Sequence, residues 1–466
     1  MKHILTLIIV VAAFGAQAQE MLGIANSNFA GSMGMGLNPA SMLLMPYRWE
    51  ANLISGDIFL ENNYVRYPKS RLTSTPETSI PTPHGGMLDN YSLSPKNAHV
   101  RTFLRLPSFI YRTREQAFGI HTAVRTDISL RNVSADIAKL SYEGLGYTPL
   151  GGIPITVPEF RLGAMTWTEI GFSYGRIFPR GNNRLIVAAT ASLINAFQGA
   201  YFINNLTNLT VKNDTTLDIT YMSAEAGFAI PSNKNDVFTI NGKGVGMNIG
   251  FCYVKNPYRG VFEKSRTIDR KRYDYRFGVS LIDAGMVSFT KNSYAYSING
   301  SSTTFNNFNS VKPNGINGVD SLLRSNFING TSSIENSFAL VLPMAVSSQF
   351  DVCLHPRWYL NASIVQRVNP PVPHIDLPNI VSASLRYETS YFEIAVPYSF
   401  YDYYLHRIGA AIRYHFLVLG TDKLGPYVTD NDITGMDFYF GIKLSNYDFT
   451  RPGKRARQDH CAAYGN

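Results

Sequence analysis

Apolar and polar residues alternate along most of this chain, and the clearest case lies close to its end. In Gly435–Leu444, Met436, Phe438, Phe440, Ile442 and Leu444 share one face, and Asp437, Tyr439, Gly441 and Lys443 share the other. The pattern recurs upstream. Phe118, Ile120, Thr122 and Val124 oppose Gly119, His121, Ala123 and Arg125; Ile170, Phe172 and Tyr174 oppose Glu169, Gly171, Ser173 and Gly175. Leu185, Val187, Ala189, Ala191 and Leu193 oppose Arg184, Thr190 and Ser192, while Met222, Ala224, Ala226 and Phe228 oppose Ser223, Glu225 and Gly227. Met247, Ile249 and Phe251 oppose Gly246, Asn248 and Gly250; Tyr273, Tyr275, Phe277, Val279 and Leu281 oppose Asp274, Arg276, Gly278 and Ser280. Further segments run over Arg48–Leu60, Leu340–Val352, Trp358–Ile364, Val381–Tyr387, Phe392–Tyr398 and Ile408–Phe416.

Two-faced segments of about ten residues are what a tilted strand needs to cross a hydrocarbon core, and with the weaker ones they number roughly fourteen. The expectation is an all-β fold, an antiparallel transmembrane β-barrel of about 14 strands, with Gly435–Leu444 as the strand that closes the cylinder. Trp49, Trp167, Tyr174, Trp358, Tyr398 and Tyr414 fall at segment ends, where aromatic girdles lie. A propeller would show a fixed repeat, which is missing, and a sandwich does not use so many strands. Tyr64–His99 and Ser297–Gly330 read as long loops, and Ser134–Leu140 as a short amphipathic helix. Lumen-facing positions are expected to tolerate substitution better than lipid-facing ones.

Ahead of the strands, Asn26–Met45 is rich in Gly, Ser, Met and Asn and alternates poorly. Gly31, Gly34 and Gly36 permit tight backbone, and Asn38-Pro39 initiates a turn. The segment is expected inside the barrel mouth as a plug, with Asn38, Pro39 and Ala40 as its ligand gate; the alternative is a periplasmic leader. Lys2 and His3 precede an apolar run, Ile4–Phe14, and an Ala16-Gln17-Ala18 site, the signature of a secretory signal peptide. The organisation expected is signal peptide 1–18, plug or hatch 19–46, barrel 47–445 and a basic tail 446–466.

Composition agrees. Charged residues make up 16% of the 466 and aromatics 13%, with a mean hydropathy of −0.07. That average excludes a helical membrane protein and suits strands that give half their residues to a polar lumen. Cys252, Cys353 and Cys461 have neither CxxC nor metal-ligand spacing. The net charge of +9 is spread widely, apart from Arg451, Lys454, Arg455 and Arg457 in the tail. In an exported chain this fits anionic lipid or an acidic partner rather than nucleic acid. No hydrolase elbow is present, the histidines are scattered, and Gly242–Gly246 lacks phosphate-loop spacing. Neither enzyme chemistry, nor a cofactor, nor a metal site is expected.

What remains is charge of both signs on the inner faces. Arg125, Glu169, Arg184, Arg276, Arg386, Glu393 and Arg413 are the candidate lumen-facing residues, with Glu225, Glu388, Lys443 and others beside them. They would line a permeation path or pair across strands and fill the lumen. Asp214-Thr215-Thr216 and Asp320-Ser321-Leu322 match a short O-glycosylation pattern of Bacteroidota.

SNFAGSMGMGLNPASM near the start, Trp167–Gly171, and the ending RYHFLVLGTDKLG…GMDFYFGIKL together resemble a domain of unknown function in Bacteroidota outer-membrane proteins. Asn38-Pro39-Ala40 is also similar to the N-terminal hatch of fatty-acid transporter-type barrels and of barrel subunits of type IX secretion. The resemblance implies a fourteen-stranded barrel with an N-terminal plug in the outer membrane of a Gram-negative bacterium; it implies no activity. Two functions stay open. One is a channel or transporter for small molecules, hydrophobic ligands included. The other is a non-transporting barrel, a scaffold or partner-binding subunit of an envelope complex for secretion, motility or assembly. Outer-membrane lipids surround either one.

Overall fold

The computed structural model describes residues 21–69, 87–90, 92–231, 238–257, 271–308, 315–328, 332–428 and 432–445. The expected signal peptide and basic tail lie outside these residues. Antiparallel pairing runs without a break around the sheet, and Trp49–Asn62 (β1) closes it against Gly435–Ser445 (β14), from Glu50 opposite Ser445 to Glu61 opposite Gly435. Counting interrupted strands as one, the wall has fourteen. In chain order they are β2 (Lys96–Arg105 and Ser108–Arg112), β3 (Gln116–Val133), β4 (Pro154–Val157 and Phe160–Arg180) and β5 (Asn183–Val211). Next come β6 (Leu217–Ala229 and Gly242–Lys255), β7 (Tyr275–Phe289 and Ser293–Phe305) and β8 (Ser333–Glu335, Phe338–Val341 and Ala345–His355). The rest are shorter: β9 (Trp358–Arg367), β10 (Ile380–Glu388), β11 (Phe392–Tyr401), β12 (Leu405–Ile408 and Ala410–Tyr414) and β13 (Leu417–Thr421). A closed ladder leaves no strand edge, which is the condition for β structure in lipid.

Side-chain exposure sorts the two faces. Phe172, Leu193, Phe251, Phe277, Ile364, Val396, Ile412 and Phe438 point outward and are exposed although apolar. A belt of that extent is a surface for lipid, since soluble monomers do not leave one open. Tyr174, Trp358, Tyr398 and Tyr414 are exposed at its margins. Trp167 is not among them. It shares the parity of Glu169 and is fully buried inside, with its ring under the Arg125 guanidinium at 4.7 Å.

The alternation reverses its meaning above the belt. β4 to β8 continue beyond the length of β9 to β14, and there the apolar face of β6, Met222, Ala224, Ala226 and Phe228, points inward while Glu225 is exposed outside. Glu225 is therefore not a lumen residue. Met222, Ala224, Ala226 and Phe228 join Leu140, Val211, Leu217, Tyr296, Ile298 and Phe305 in an apolar cluster. Two helices pack on it. The first is α1 (Ala135–Glu143), capped by the Ser134 hydroxyl, which accepts from Ile137 N–H, and fastened to Asp89 by Lys139 at 2.8 Å, which also pairs within the helix with Glu143 at 2.9 Å. The second, α2 (Gly315–Phe327), lies where a loop was expected, and β7 extends to Phe305 through the same stretch. Asp320 of the glycosylation-like triplet sits on α2, bound by Arg324 and Tyr296. Tyr273, expected on the outer face, precedes its strand and is buried inside.

The β9–β10 connection, residues 368–379, turns into the barrel instead of away from it. His374, Ile375, Asp376 and Leu377 are buried, Asp376 N–H donates to the Ser129 hydroxyl, and Ile375 N–H to the Val341 carbonyl. Four prolines, Pro370, Pro371, Pro373 and Pro378, keep this stretch extended, and nothing in its alternation distinguishes it from an exposed loop.

Phe440 stands mid-strand on the outer face of β14 and Tyr439 on the inner. Phe440→Arg should cost about 2–4 kcal/mol near the midplane of a bilayer. Tyr439 is fully buried against Gly23 and Asp422, so the expected tolerance of the inner face does not apply there. Tyr439→Arg should also impair assembly, and heat-modifiable gel mobility after refolding into vesicles would reveal either effect.

Candidate functional site

The interior is occupied by the chain's own N-terminal segment. Residues 21–43 are all buried within the barrel, as two short 3-10 helices, Gly31–Gly36 and Pro39–Leu43, joined by turns. Local chemistry sets this course. Asn38 is extended (φ −158°, ψ 117°), as a residue before proline prefers, and its Oδ1 accepts from Ala40 N–H at 2.9 Å. Pro39 takes the first helical position, where no N–H is needed. Gly31 has φ +54°, and a Cβ there would lie 2.0 Å from Glu50 Oε2.

The wall is cut to fit. Asn38 Nδ2 donates to the Phe251 carbonyl at 3.1 Å and to Gln349 Oε1 at 3.0 Å. It reaches them because β6 and β7 present glycines: a Cβ on Gly250 would meet Asn38 Oδ1 at 2.0 Å, and one on Gly278 would meet Nδ2 at 2.9 Å. Of the three expected gate residues, Asn38 makes the polar contacts with the wall, while Pro39 and Ala40 are buried beside it.

Charged strand residues hold the remaining backbone. Arg276 donates to the Asn26 carbonyl and pairs with Asp351 at 2.5 Å; Arg386 binds Asp351 at 3.0 Å and Glu388 at 3.1 Å. Glu388 accepts from Asn28 N–H at 3.2 Å and Nδ2 at 2.9 Å, and Glu393 from the Ser27 hydroxyl at 2.7 Å. Arg413 pairs with Glu393 at 3.0 Å and lies over the Phe29 ring at 4.2 Å. Lys443 donates to the Phe29 and Ala30 carbonyls, Arg105 to Ser32 O, and Glu50 accepts from Ser32 N–H at 2.7 Å and from the Tyr47 hydroxyl. Asp422 takes Leu22 N–H at 2.8 Å.

The candidate lumen residues thus separate into groups. Arg276, Glu393 and Arg413 converge on residues 26–29, and Arg386 reaches them only through its partners Asp351 and Glu388. Arg125 and Glu169 belong to another cluster, in which Arg125 grips Asp283 across the lumen at 2.9 and 2.7 Å and Glu169 faces His121 at 3.4 Å. Arg184 stands apart, half-buried at the short-turn mouth beside a cavity of about 80 Å³ next to Leu43–Pro46. A second cavity of about 20 Å³ borders Phe29 and Glu50. Glu50, Asp351, Arg105 and Asp283 escaped the sequence reading. Period two would have found Asp351 in line with Ser347, Gln349 and Cys353, and Glu50 in line with Asn52. No group of three or more His, Cys, Asp or Glu suited to a metal occurs among the described residues.

Three apolar layers flank this ionic one. Below lie Met42, Leu43, Met45, Ile110, Ile177 and Val254, toward the short turns. Above lie Met165, Trp167, Ile194, Val287, Phe289, Phe338, Leu340 and Ile375, and the upper cluster continues from them along the same strands. The middle one of these three meets the wall where β6 is interrupted. Ala229 pairs with Gly199 and Gly242 with Ala196, so the register passes over Phe197 and Gln198, and Phe238 is exposed against Phe197. Asn241 pins the gap, donating from N–H to Ala196 O and from Nδ2 to Phe197 O.

Removing Glu50 would take the buried carboxylate from Lys443, Tyr47 and Ser32, leaving Lys443 with carbonyl acceptors alone. Glu50→Ala should destabilise the barrel by about 3–5 kcal/mol, and Glu50→Gln, which keeps an acceptor, by less. Urea midpoints of the refolded protein would give both values.

No curated protein matches the chain. Among solved structures it is similar to the toluene transporter TbuX of Ralstonia pickettii, with TM-score 0.41 and 8% identity over 92% of this chain and 98% of that one. It is also similar to the toluene transporter TodX of Pseudomonas putida, at TM-score 0.38 and 11% identity over 92% and 96%. A Pseudomonas aeruginosa FadL homologue follows at TM-score 0.24 and 10% identity over 92% and 97%. The barrel assignment rests on the closed ladder rather than on these likenesses. Residues 39–422, from the Asn38 cap almost to the last strand, match one family model throughout, and the chain belongs to that family, DUF5723, a family of unknown function.

Proposed function

We propose that this protein is an outer-membrane barrel that passes small apolar molecules sideways through its wall, with the N-terminal segment as a plug that keeps the axis shut. The observation that carries this reading is the course of the apolar interior. It runs down from the cluster under α1 and α2, stops on the ionic layer, and reaches the wall at the interruption of β6. An uncharged apolar molecule gains by staying in that column and loses by displacing paired charges below it.

Phe289 lies in the way. Its ring packs where Gly199 and Gly242 leave room, with hypothetical Cβ atoms at 2.3 and 2.8 Å from it. Cells making the protein should take up an apolar fluorophore such as N-phenylnaphthylamine faster than cells without it, and Phe289→Ala should raise the rate several-fold. Planar bilayers holding the wild type should show no steady ion conductance; deletion of Asn26–Ser41 should open one while leaving the barrel inserted.

The filled axis favours the second reading, a scaffold or partner-binding barrel. Unchanged fluorophore uptake in both wild type and Phe289→Ala would select it, and envelope proteins co-purifying in mild detergent would then name the partner.

A further inference from the structure

On the outer face of β4 to β7 the wall changes character within one step of the ladder. Ile170, Leu193, Val245 and Met286 stand opposite one another across these strands and are exposed although apolar. One pair higher on the same face, and again in register, stand Thr168, Asn195, Lys243 and Ser288. An apolar row under a polar one is where hydrocarbon gives way to headgroups. Arg180 and Asn183 close a tight turn at the far end of β4 and β5, and short turns mark the periplasmic side, so the polar row belongs to the outer leaflet.

Two cations meet this row. Lys243 is exposed, and so is Lys291, on the turn between the two parts of β7. Asn241, two residues before Lys243, ties that turn to β6. Its carbonyl accepts from Thr290 N–H at 3.2 Å and Lys291 N–H at 3.3 Å, and its Oδ1 from Asn292 Nδ2 at 2.9 Å. Among the described residues no carboxylate pairs with either lysine. The exposed acids of this sector stand higher on the wall, Glu225 opposite Ser297 and Glu335 opposite Ala295. Lysines at headgroup level without a protein counter-charge attract anionic lipid.

We propose that Lys243 and Lys291 hold the phosphate monoester of an outer-leaflet lipid, with an acyl chain laid over Leu193, Val245 and Met286. Two ammonium groups match the charge of a monoester, about −1.5 to −2 at neutral pH, better than the single charge of a diester. The apolar row directly below favours a lipid over free phosphate, since only a lipid can cover it. Such a site needs the barrel's place in the membrane but not passage through its wall, so fluorophore uptake leaves it untouched.

The test is native mass spectrometry of the full-length barrel in detergent with lipid A, dephosphorylated lipid A, phosphatidylglycerol and inorganic phosphate. One lipid A should stay bound under activation that strips the detergent, and the other two lipids should be retained less. K243Q and K291Q, both at exposed positions, should keep the heat-modifiable barrel and each lower lipid A retention about fivefold, the effect of one lysine at an anionic surface. K255Q, at the other end of the same stretch of β6, should leave retention unchanged. Equal retention of dephosphorylated lipid A or phosphatidylglycerol, displacement of lipid A by equimolar inorganic phosphate, or a loss in K255Q as large as in K243Q would overturn the site. So would unchanged retention in both K243Q and K291Q.

Discussion

The wall's own backbone is committed to the ladder, and this constraint organises everything inside it. A strand that spends its N–H and C=O groups on its neighbours has none left for a segment threaded through the lumen. Residues 21–45 carry their own backbone donors and acceptors into that space, and water is largely displaced from it. Side chains must therefore supply the partners, and the partners must be strong, because an orphaned buried group costs about 1–3 kcal/mol. That requirement accounts for arginines aimed at carbonyls (Asn26, Ser32, Met45) and carboxylates aimed at N–H groups (Leu22, Asn28, Ser32). It accounts equally for the pairing of those ions with one another, since a lone charge at that depth would be costlier than the bond it makes.

Much of the barrel was legible because its logic is local. Period two marks each strand, the apolar belt marks its outer face, and the number of segments marks the size of the cylinder. The closing pair is legible in the same way, as β14 keeps its two faces over its full length. What could not be read is direction. Alternation at Met222–Phe228 is as regular as at Phe118–Val124, yet the apolar side faces in at one and out at the other. The sign depends on whether lipid or water lies outside, which is a property of height along the axis and not of the segment. Trp167 teaches a related point: its residue type suggests a girdle, its parity with Glu169 places it inside, and parity wins.

The interior was legible in its residue types but not in its partners. Arg276, Glu393 and Arg413 share one feature in sequence, a position on the inner face, and nothing there says that they meet at residues 26–29. Their partners lie far off in the chain: Arg276 and Asp351 are 75 positions apart, and Ser27 and Glu393 366. Only closure brings them together. The inward loop at 368–379 is a harder case, since its anchors at Ser129 and Val341 are set by the shape of the finished cylinder.

Stacking apolar, ionic and apolar layers along one axis has a consequence for passage. Hydrogen bonds to charged groups contribute about 1.5–3 kcal/mol each, and the segment makes several, so wholesale ejection lies far outside thermal reach. A small apolar molecule faces the same layer from above and can neither replace those bonds nor hydrate the charges it would separate. On the proposed lateral route its free energy would rise on going down the axis and stay level on going sideways, where Ile194, Val287 and Phe289 continue to the gap pinned by Asn241. Under that proposal the bonds that hold the N-terminal segment in the axis are what would make a lateral route the one of lower energy, and Phe289, packed over Gly199 and Gly242, is the side chain that would decide whether that route is open.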